Sequence, residues 1–522
     1  MAPLFDLEEA KRYIGGQVPH LVRRFPLEQG EDKVRSIDDY LEASLNFLYS
    51  ADEKLVLLDT DTLAAVVRLL ERILSDEVTE IVFSSTGATK KISIHKDWGK
   101  TREHLSQWLG RTKDLKHAYK QLAVKFSGVW ASTIVVYDPS SSRPAIFVQH
   151  SLPFGSSSSV MSFNRWARFI WHVATREFGL IWTNFFDDYL ILAPSILCES
   201  IDVSIKVLIN SLGWKISEGG SKDANWAPTF TPLGVLLDVS RLAAKGSTVA
   251  NKPKRIESVS AKLEKFISDG WASTRDVESA SGQVQYMEAQ VFGRASRGAV
   301  GALSRTRGQG KKFTTSDIAN LKWLVEWMRH AVPRPISPKF VGPPLILFTD
   351  GACEDFDDTA NAKITMGAVL LDRRDMVALV FGAAVNPTLV MEWRRLCPGK
   401  KQFVTEAEIL PVLVAAVNWR RRMAGAKTLV FIDSNPAKFA LIKGSSDSPA
   451  CECIVRSIMF EDAEHVSYPW FSRVPSKSNL ADDPSRLVFP VRILTFKVEV
   501  CEVLQPDSLL NGVWPVLERG EM

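Results

Sequence analysis

Two adjacent carboxylates, Asp187 and Asp188, lie between two apolar runs at residues 180–186 and 189–193. In a buried hairpin such a pair is costly, because like charges repel and each carboxylate loses its hydration. A divalent cation removes that cost, and Mg²⁺ binds carboxylate oxygens while keeping positions open for substrate phosphates. Paired aspartates also occur in ordinary turns, so the pair alone leaves both interpretations open.

Other residues accompany this pair in a defined order along the chain. Asp114 stands at the start of a strand-like segment, and Tyr119 follows it five residues later. Residues 151–155, Ser-Leu-Pro-Phe-Gly, predict a turn that leads into a long helix. Lys222 and residues 230–234, Phe-Thr-Pro-Leu-Gly, lie downstream of the pair. The presence of these residues in a fixed order around the pair favours a metal-binding active site over an isolated turn.

A second set of acids lies in the carboxy-terminal part of the chain, each next to the end of a predicted element. Asp350 and Asp433 end predicted strands. Glu408 lies near the start of a predicted helix, and Asp482 follows the last predicted strand. Such positions converge at one edge of a mixed sheet, where four carboxylates repel one another unless cations are bound. The sequence therefore predicts a second metal site.

The elements that would position these residues follow two patterns. Between residues 114 and 238, apolar and aromatic strands alternate with one helical segment at 160–178, which indicates an α+β domain. After a proline-rich linker at 332–338, three strands precede alternating helices and strands, which indicates a mixed sheet flanked by helices. The predicted elements of this second pattern are strands at 345–352, 364–371, 376–385, 428–433 and 466–474, and helices at 405–423, 436–443 and 454–465.

The composition is that of a folded protein with several domains. Apolar residues make up 46% and charged residues 24% of the 522 residues, and this length suggests about three or four domains. Residues 241–340 contain 18 basic and 8 acidic residues, a net +10, whereas the rest of the chain sums to −6. A basic middle fits a protein that binds phosphates there, although a solvated basic surface would give the same count.

The sequence carries no sign of export or of a membrane segment. Its six cysteines are scattered without zinc-site spacing, and neither a secretory signal nor an apolar run of about 18 residues is present. We therefore expect reduced thiols and a cytoplasmic or nuclear location.

The order and spacing of the first set resemble the palm motifs of reverse transcriptases, especially those of LTR-type and DIRS-like retrotransposons and of pararetroviruses. The resemblance implies that Asp114, Asp187 and Asp188 are catalytic and bind metal. Phe185 stands where the family most often has tyrosine, a change that keeps the ring. Residues 156–159 are all serine and lack the proline that often follows the family's glycine turn.

The same resemblance implies two sets of binding residues. The implied nucleotide-binding residues are Lys33, Arg35, Tyr119, Phe154, Gly155 and Lys222. The implied primer and template contacts are Phe230, Leu233, Gly234, Lys252, Lys254, Arg255, Arg294 and Arg297. An aromatic ring at Tyr119 would collide with a ribose 2′-hydroxyl, so we expect a preference for deoxynucleotides. Simple core packing is the alternative role for this ring.

The second set, in the order Asp, Glu, Asp, Asp on a β-β-β-α-β pattern, resembles the RNase H family. The resemblance implies four catalytic and metal-binding acids, namely Asp350, Glu408, Asp433 and Asp482. Glu406 competes with Glu408, which we prefer because an Ile-Leu pair follows it, and Asp483 competes with Asp482. Lys477 stands where many relatives have a histidine, and a lysine does not exchange protons near neutral pH as histidine does.

Together these resemblances imply a multidomain protein of α+β and α/β class, a right-hand polymerase followed by a connection and an RNase H-like mixed-sheet domain. The implied parts are fingers and palm at 1–240, a basic thumb and connection at 241–340, an RNase H-like domain at 341–490 and a C-terminal tail at 491–522. The implied activities are RNA-directed DNA polymerase and RNase H, with two Mg²⁺ ions per active site and Mn²⁺ as an alternative ion. The implied partners are an RNA template, a DNA primer, an RNA–DNA hybrid and dNTPs.

Two other functions compete with this interpretation. A retroelement-derived nucleic-acid-binding protein whose catalysis has lapsed would keep the same motifs. An RNA-dependent RNA polymerase is disfavoured by Tyr119 and by the attached RNase H pattern. The host element, the primer type and the oligomeric state have no signature in the sequence.

Overall fold

The chain folds into two compact units, Met1–Ser247 and Thr248–Met522. The computed structural model describes residues 3–28, 34–75, 79–85, 88–95, 107–219, 223–288, 295–305, 310–337, 342–354, 363–489, 493 and 495–505. Both units contain helices and strands, so the predicted mixture of α and β structure is confirmed. None of the helices in these ranges has the length and apolar character needed to cross a membrane.

The first unit combines short sheets with two long helices. Its helices are α1 (Leu7–Tyr13), α2 (Thr60–Leu74), α3 (Ser157–Glu177) and α4 (Cys198–Ser211). Its strands are β1 (Leu21–Glu28), β2 (Val34–Asp38), β3 (Glu80–Ser85), β4 (Ala88–Ser93), β5 (Trp108–Asp114), β6 (Thr133–Asp138), β7 (Arg143–Val148), β8 (Ile181–Phe185), β9 (Asp188–Pro194), β10 (Thr229–Phe230) and β11 (Val235–Asp238).

A three-stranded antiparallel sheet with the order β5–β9–β8 positions the first set of acids. After Asp188, every residue of β9 is buried, as expected for an apolar strand covered on both faces. Helix α3 packs against β8 through apolar residues with helical spacing, including Phe163, Ala167 and Ile170. The predicted helix at 160–178 is therefore confirmed, although it begins three residues earlier, at Ser157.

The second unit contains the basic helical region and a large sheet. Its helices are α5 (Pro253–Asp269), α6 (Thr274–Met287), α7 (Arg297–Ser304), α8 (Thr315–His330), α9 (Pro387–Leu396), α10 (Val404–Asn418), α11 (Arg420–Met423), α12 (Asn435–Lys443), α13 (Pro449–Glu464) and α14 (Asp482–Ser485). Its strands are β12 (Thr248–Asn251), β13 (Trp271–Ala272), β14 (Lys311–Lys312), β15 (Arg334–Pro335), β16 (Leu345–Glu354), β17 (Lys363–Asp372), β18 (Val377–Ala384), β19 (Lys427–Ile432), β20 (Tyr468–Arg473) and β21 (Lys497–Val500).

The large sheet has the strand order β20–β19–β16–β17–β18–β21. Strands β16, β17 and β18 are antiparallel neighbours, whereas β19 runs parallel to β16 and β20 runs parallel to β19. Strands β16 and β19 are parallel, so their carboxyl ends lie at the same edge of the sheet. Asp350 and Asp433 therefore lie close together at that edge. Helix α10, which is apolar on all sides after Glu408, packs against β16 and β17, and residues 406–415 are buried.

The structure adds elements that the sequence pattern did not indicate. Helices α6 and α7 form although they contain Gly282, Gly298 and Gly301, each of which costs about 1 kcal/mol in a helix. Both helices bury apolar faces in one core cluster, and this burial outweighs the glycine cost. Strand β21 lies within the stretch assigned to a tail and pairs with β18.

Candidate active sites

The first site forms where the β8–β9 hairpin meets the end of β5. Asp114 is the direct neighbour of Asp188 in the antiparallel ladder, which places their Cα atoms about 5 Å apart. The hairpin turn consists of Phe186 and Asp187, and Phe186 has a φ of 53°, a left-handed conformation that is unusual for a bulky residue. Strained turns of this kind persist where surrounding structure holds them.

The carboxylates of this site influence one another strongly. Burial, followed by repulsion from Asp114 and Asp188, raises the pKa of Asp187 to about 7. The Asp187 carboxyl lies within hydrogen-bonding reach of the Asp114 carboxyl. Asp114 is buried and accepts a hydrogen bond from the Ser217 hydroxyl at 3.1 Å. Ionisation of Asp187 beside the Asp114 carboxyl is therefore unfavourable unless a cation is bound.

These residues fit a magnesium site in part. Asp114 and Asp187 lie together, as a shared cation requires, whereas Asp188 is exposed to solvent. The oxygens of all three acids do not come within 4.8 Å of one another. Asp114 and Asp187 are therefore in place, whereas the three carboxylates do not form one closed group.

An aromatic group lies beside the first site. The Tyr119 ring stacks on Phe163 with centroids 4.6 Å apart and contacts Phe154 at 5.0 Å. Burial, and to a smaller extent the charge of Asp187, raises the pKa of Tyr119 to about 12. Tyr119 thus belongs to the core and also borders the carboxylates, so the two roles considered from the sequence are compatible.

The glycine turn is tied to the amino-terminal segment. Gly155 has a φ of +98°, and a Cβ there would lie 2.1 Å from the Asp38 carbonyl oxygen, so only glycine fits. Asn46 donates to the Gly155 carbonyl at 3.0 Å and accepts from the Ser157 amide at 2.9 Å. Arg35 is exposed on β2 of this segment. Lys33 lies outside the described residues.

The strand predicted to steady a primer end packs against β5. The Phe230 ring is buried and lies directly over Gly110, where a Cβ would meet it at 2.0 Å. Leu233 and Gly234 form the turn between β10 and β11, and both have positive φ values. Lys222 lies outside the described residues.

A buried charge network anchors β5, and the sequence analysis did not single it out. Arg111 is 6% exposed and donates to both oxygens of Asp202, at 2.7 and 2.6 Å, and to Asp223 at 2.7 Å. Lys113 donates to Asp223 at 2.5 Å, and Trp226 Nε1 donates to Asp202 at 2.8 Å. Arg111 and Lys113 stand at alternate positions of β5, and this spacing was the available signal because it places both cations on one face of the strand.

The described basic residues predicted to bind primer and template lie at the start of α5 and at the start of α7. Lys252 precedes α5, and Lys254 is exposed in its first turn. Arg255 lies over the Tyr286 ring at 4.7 Å. Arg297 is paired with the buried Glu288 at 3.0 Å. Arg294 lies outside the described residues.

The second site is a compact group of three acids. Oxygens of Asp350, Glu408 and Asp433 lie within 4.8 Å of one another. A Cβ on Gly351 would lie 2.3 Å from the backbone of Ala407, so glycine allows α10 to approach β16 closely enough for Glu408 to meet Asp350. Three of the four predicted acids are thus brought together.

The acids of the second site are poorly compensated by the surrounding residues. Burial, then repulsion from Asp433 and Asp350, raises the pKa of Glu408 to about 10. Burial also raises the pKa of Asp350 to about 6, although a hydrogen bond from Ser485 opposes the shift. No N–H or hydroxyl group of the described residues donates to Glu408 Oε2 or Asp433 Oδ1, and both atoms are buried. Buried, undonated carboxylate oxygens fit a hard divalent cation such as Mg²⁺.

The fourth predicted acid, Asp482, lies at the edge of this group. It starts α14 and pairs with Arg486 at 3.1 Å, and its charge contributes to the raised pKa of Asp350. Its oxygens are not among those within 4.8 Å. Two partners of Asp350 received no role in the sequence analysis, namely the Asn479 amide, which donates at 3.3 Å, and the Ser485 hydroxyl.

The competing residues lie elsewhere. Glu406 is fully buried and faces Lys400 and Ser448 instead of the acid group. Asp483 is exposed. Lys477 is also exposed, on a short 3₁₀ turn. The preference for Glu408 over Glu406 thus agrees with the geometry, although the catalytic role itself stays a prediction.

The raised pKa of Glu408 predicts that this site destabilises the metal-free protein. Because the folded-state pKa lies above the ordinary value, the stability contribution of Glu408 is present at low pH and is lost as pH rises towards 10. In the presence of a chelator, which keeps the protein free of metal, Glu408→Gln should therefore raise the free energy of unfolding at pH 8 by about 1 kcal/mol or more. Thermal melts at pH 5, 7 and 9 would measure the effect, which should grow with pH.

The matched control is Glu392→Gln, which alters a half-buried carboxylate paired with the exposed Arg395 on α9. Its pKa is lowered by Arg395, so its removal should not stabilise the protein. If the difference in stability between Glu408→Gln and the wild type stayed constant from pH 5 to pH 9, the assigned burial of Glu408 among acids would be contradicted.

Comparisons with known proteins gave structural similarity only. No family model matches the chain, and no curated protein matches it. Among solved structures, the foamy viral protease-reverse transcriptase is similar in three complexes. Two of these complexes contain double-stranded DNA. The form designated dRH is 13% identical to this chain with a TM-score of 0.42, and the other form is 12% identical with a TM-score of 0.41. The complex with RNA/DNA hybrid has 10% identity and a TM-score of 0.38.

These alignments cover 87%, 87% and 89% of this chain. They cover 65%, 77% and 73% of the three viral chains, so the first alignment spans less than two thirds of its partner. At these identities and TM-scores, the similarity does not assign the chain to a family.

Proposed function

We propose that this chain is an RNA-directed DNA polymerase with RNase H activity. The observation that carries the proposal is that acids widely separated in sequence meet at two places, Asp114 with Asp187 and Asp350 with Glu408 and Asp433. The test is primer extension on an RNA template, together with cleavage of an RNA–DNA hybrid, both in Mg²⁺. Absence of both activities from the folded protein would favour a nucleic-acid-binding protein whose catalysis has lapsed.

At the first site, Asp114 and Asp187 would hold Mg²⁺, with Asp188 as the further ligand that the motif order implies. When bound, the two ions would activate a primer 3′-hydroxyl and neutralise charge on departing pyrophosphate. Arg35 is exposed on β2 and would bind the triphosphate of a dNTP. The Tyr119 ring would lie beside the sugar, and the Phe230 strand would support the primer end.

At the second site, Asp350, Glu408 and Asp433 would hold the ions, and Asp482 would complete the set. Bound ions would supply an activated water and stabilise the departing 3′-oxygen of the cleaved RNA strand. Asn479 and Ser485 hold the Asp350 carboxylate in place by hydrogen bonds. Since the exposed residue at this position is a lysine, Lys477, and not a histidine, proton transfer would fall to water and to the carboxyls themselves.

The proposed arrangement is fingers and palm at residues 1–240, thumb and connection at 241–340, and RNase H at 341–490. An RNA template, a DNA primer and their hybrid would be the nucleic-acid partners. A hybrid is recognised mainly through its backbone and shape, so we expect broad template use. The basic excess at 241–340 supports such phosphate contacts.

Replacing Tyr119 should weaken the discrimination against ribonucleotides. Tyr119→Ala removes a ring that stacks on Phe163 and lies near Asp187, so a 2′-hydroxyl would no longer meet a steric barrier. We expect the ratio of kcat/KM for dNTP to that for rNTP to fall by about 100-fold. Single-nucleotide extension with each substrate would measure that ratio.

Tyr119→Phe is the matched control, because it keeps the ring and its stacking and removes only the hydroxyl. It should retain the wild-type selectivity. If Tyr119→Ala kept the wild-type ratio while still extending the primer, Tyr119 would be a core residue with no part in sugar selection.

A further inference from the structure

The buried carboxylate Glu406 lies in the first turn of α10, two residues before Glu408, and belongs to neither acid group. Its Oε1 atom accepts hydrogen bonds from Lys400 Nζ and from the Ser448 hydroxyl, each at 2.6 Å. Lys400 Nζ also donates to the Ser448 hydroxyl at 3.4 Å. These three side chains form a polar cluster next to the apolar core of the second unit.

This cluster joins three segments of the chain. Lys400 lies in the loop after α9, Glu406 lies in α10, and Ser448 is the N-cap residue of α13. The Glu406 side chain is fully buried, whereas the Lys400 side chain is 31% exposed, so removing Lys400 would leave a buried carboxylate without its cation. The start of α10 is therefore tied to two neighbouring segments, neither of which contributes a ligand of the acid group.

Glu406 and Glu408 lie on opposite sides of α10, because residues two apart in a helix are rotated by about 200°. On the Glu408 side, the helix backbone lies against Gly351, and the charges of Asp433 and Asp350 repel Glu408. On the other side, Lys400 and Ser448 hold the same turn. The cluster is thus placed to hold Glu408 close to the acids that repel it.

We propose that Glu406, acting through Lys400 and Ser448, is a positioning residue for Glu408. The inference rests on the proposed hydrolysis of RNA, in which Glu408 holds a metal ion. Glu406 does not bind that ion, since its carboxylate faces Lys400 and Ser448. It sets where the Glu408 carboxylate lies, and it thereby tunes the affinity of the site for the ion.

The test is Mn²⁺ binding by calorimetry to the full chain carrying Asp187→Asn, which removes the contribution of the first site. Adding Glu406→Gln should lower the Mn²⁺ affinity of the second site about tenfold. In the Glu406→Gln variant, hybrid cleavage should have a lower kcat at limiting Mn²⁺ and an unchanged KM for the hybrid. High Mn²⁺ should restore its kcat, whereas it should not restore the kcat of Glu408→Gln. Lys400→Arg keeps the charge and should stay close to wild type, whereas Lys400→Met should resemble Glu406→Gln.

Glu392→Gln, at the ion pair with Arg395 on α9, is the control and should leave the Mn²⁺ affinity unchanged. Wild-type affinity in Glu406→Gln would overturn the inference, and so would a cleavage defect that high Mn²⁺ does not restore. If Glu406→Gln did not fold, Ser448→Ala would replace it, because it removes one hydrogen bond, and unchanged affinity there would also overturn the inference. A wild-type chain that cleaves no hybrid but loses Mn²⁺ affinity on Glu406→Gln would refute the hydrolysis and keep the positioning role.

Discussion

Asp187→Asn should reduce DNA synthesis by about a thousandfold or more while the RNA strand of a hybrid is still cleaved. Asparagine has nearly the same shape but cannot ionise, so the site loses one of the two carboxylates that meet beside β5. The substitution also relieves the repulsion that raises the pKa of Asp187 to about 7, so the fold should not be destabilised. Primer extension and hybrid cleavage, measured on one preparation, would separate the two activities.

The matched control for this variant is Asp61→Asn, an exposed acid in the first turn of α2. It should leave both activities unchanged. Thermal melting of each variant would show whether a lost activity reflects lost chemistry or lost structure. If Asp187→Asn extended primers at the wild-type rate, the assignment of the first site would be wrong.

Asp350→Asn should give the reverse result, with hybrid cleavage reduced by about a thousandfold or more and synthesis retained. The Asp350 carboxylate lies at the centre of the second site, beside Glu408 and Asp433. An asparagine there can still accept the hydrogen bond from the Asn479 amide through its single oxygen. Its amide nitrogen can donate to the Ser485 hydroxyl, which also donates to the Asp482 carbonyl, so the local structure should persist. The charge that would attract divalent ions is lost. Cleavage of a labelled hybrid in Mg²⁺ and in Mn²⁺ would measure the effect.

Asp483→Asn is the matched control, because Asp483 is exposed and adjoins the candidate ligand Asp482. It should cleave hybrids at the wild-type rate. If Asp350→Asn abolished synthesis as well, the two activities would not be separable as proposed. If it left cleavage intact, the second group of acids would not be the hydrolytic site.

Much of the fold could be predicted from the sequence where a hydrophobic pattern was long and regular. The strands at 345–352 and 364–371 and the helix at 160–178 agree with the structure within a few residues, because alternation and helical spacing report directly which face is buried. The helices around Gly298 could not be predicted, since their stability comes from burial of apolar faces and not from local propensity.

The sequence by itself determined which acids to compare, because Asp187, Asp350 and Glu408 stand next to the ends of recognisable strands and helices. Asp114 was expected at the start of a strand, and this was wrong, since it is the last residue of β5. The sequence favoured Glu408 over Glu406 only through the Ile-Leu pair that follows Glu408, because two acids two positions apart on one helix have no other local difference. Only the tertiary structure separated them, because Gly351 lets the backbone of α10 approach β16 on the Glu408 side, while Lys400 and Ser448 bind Glu406 on the other. Distances between carboxylates depend on how strands and helices pack across the chain, and this packing has no local signature in the sequence.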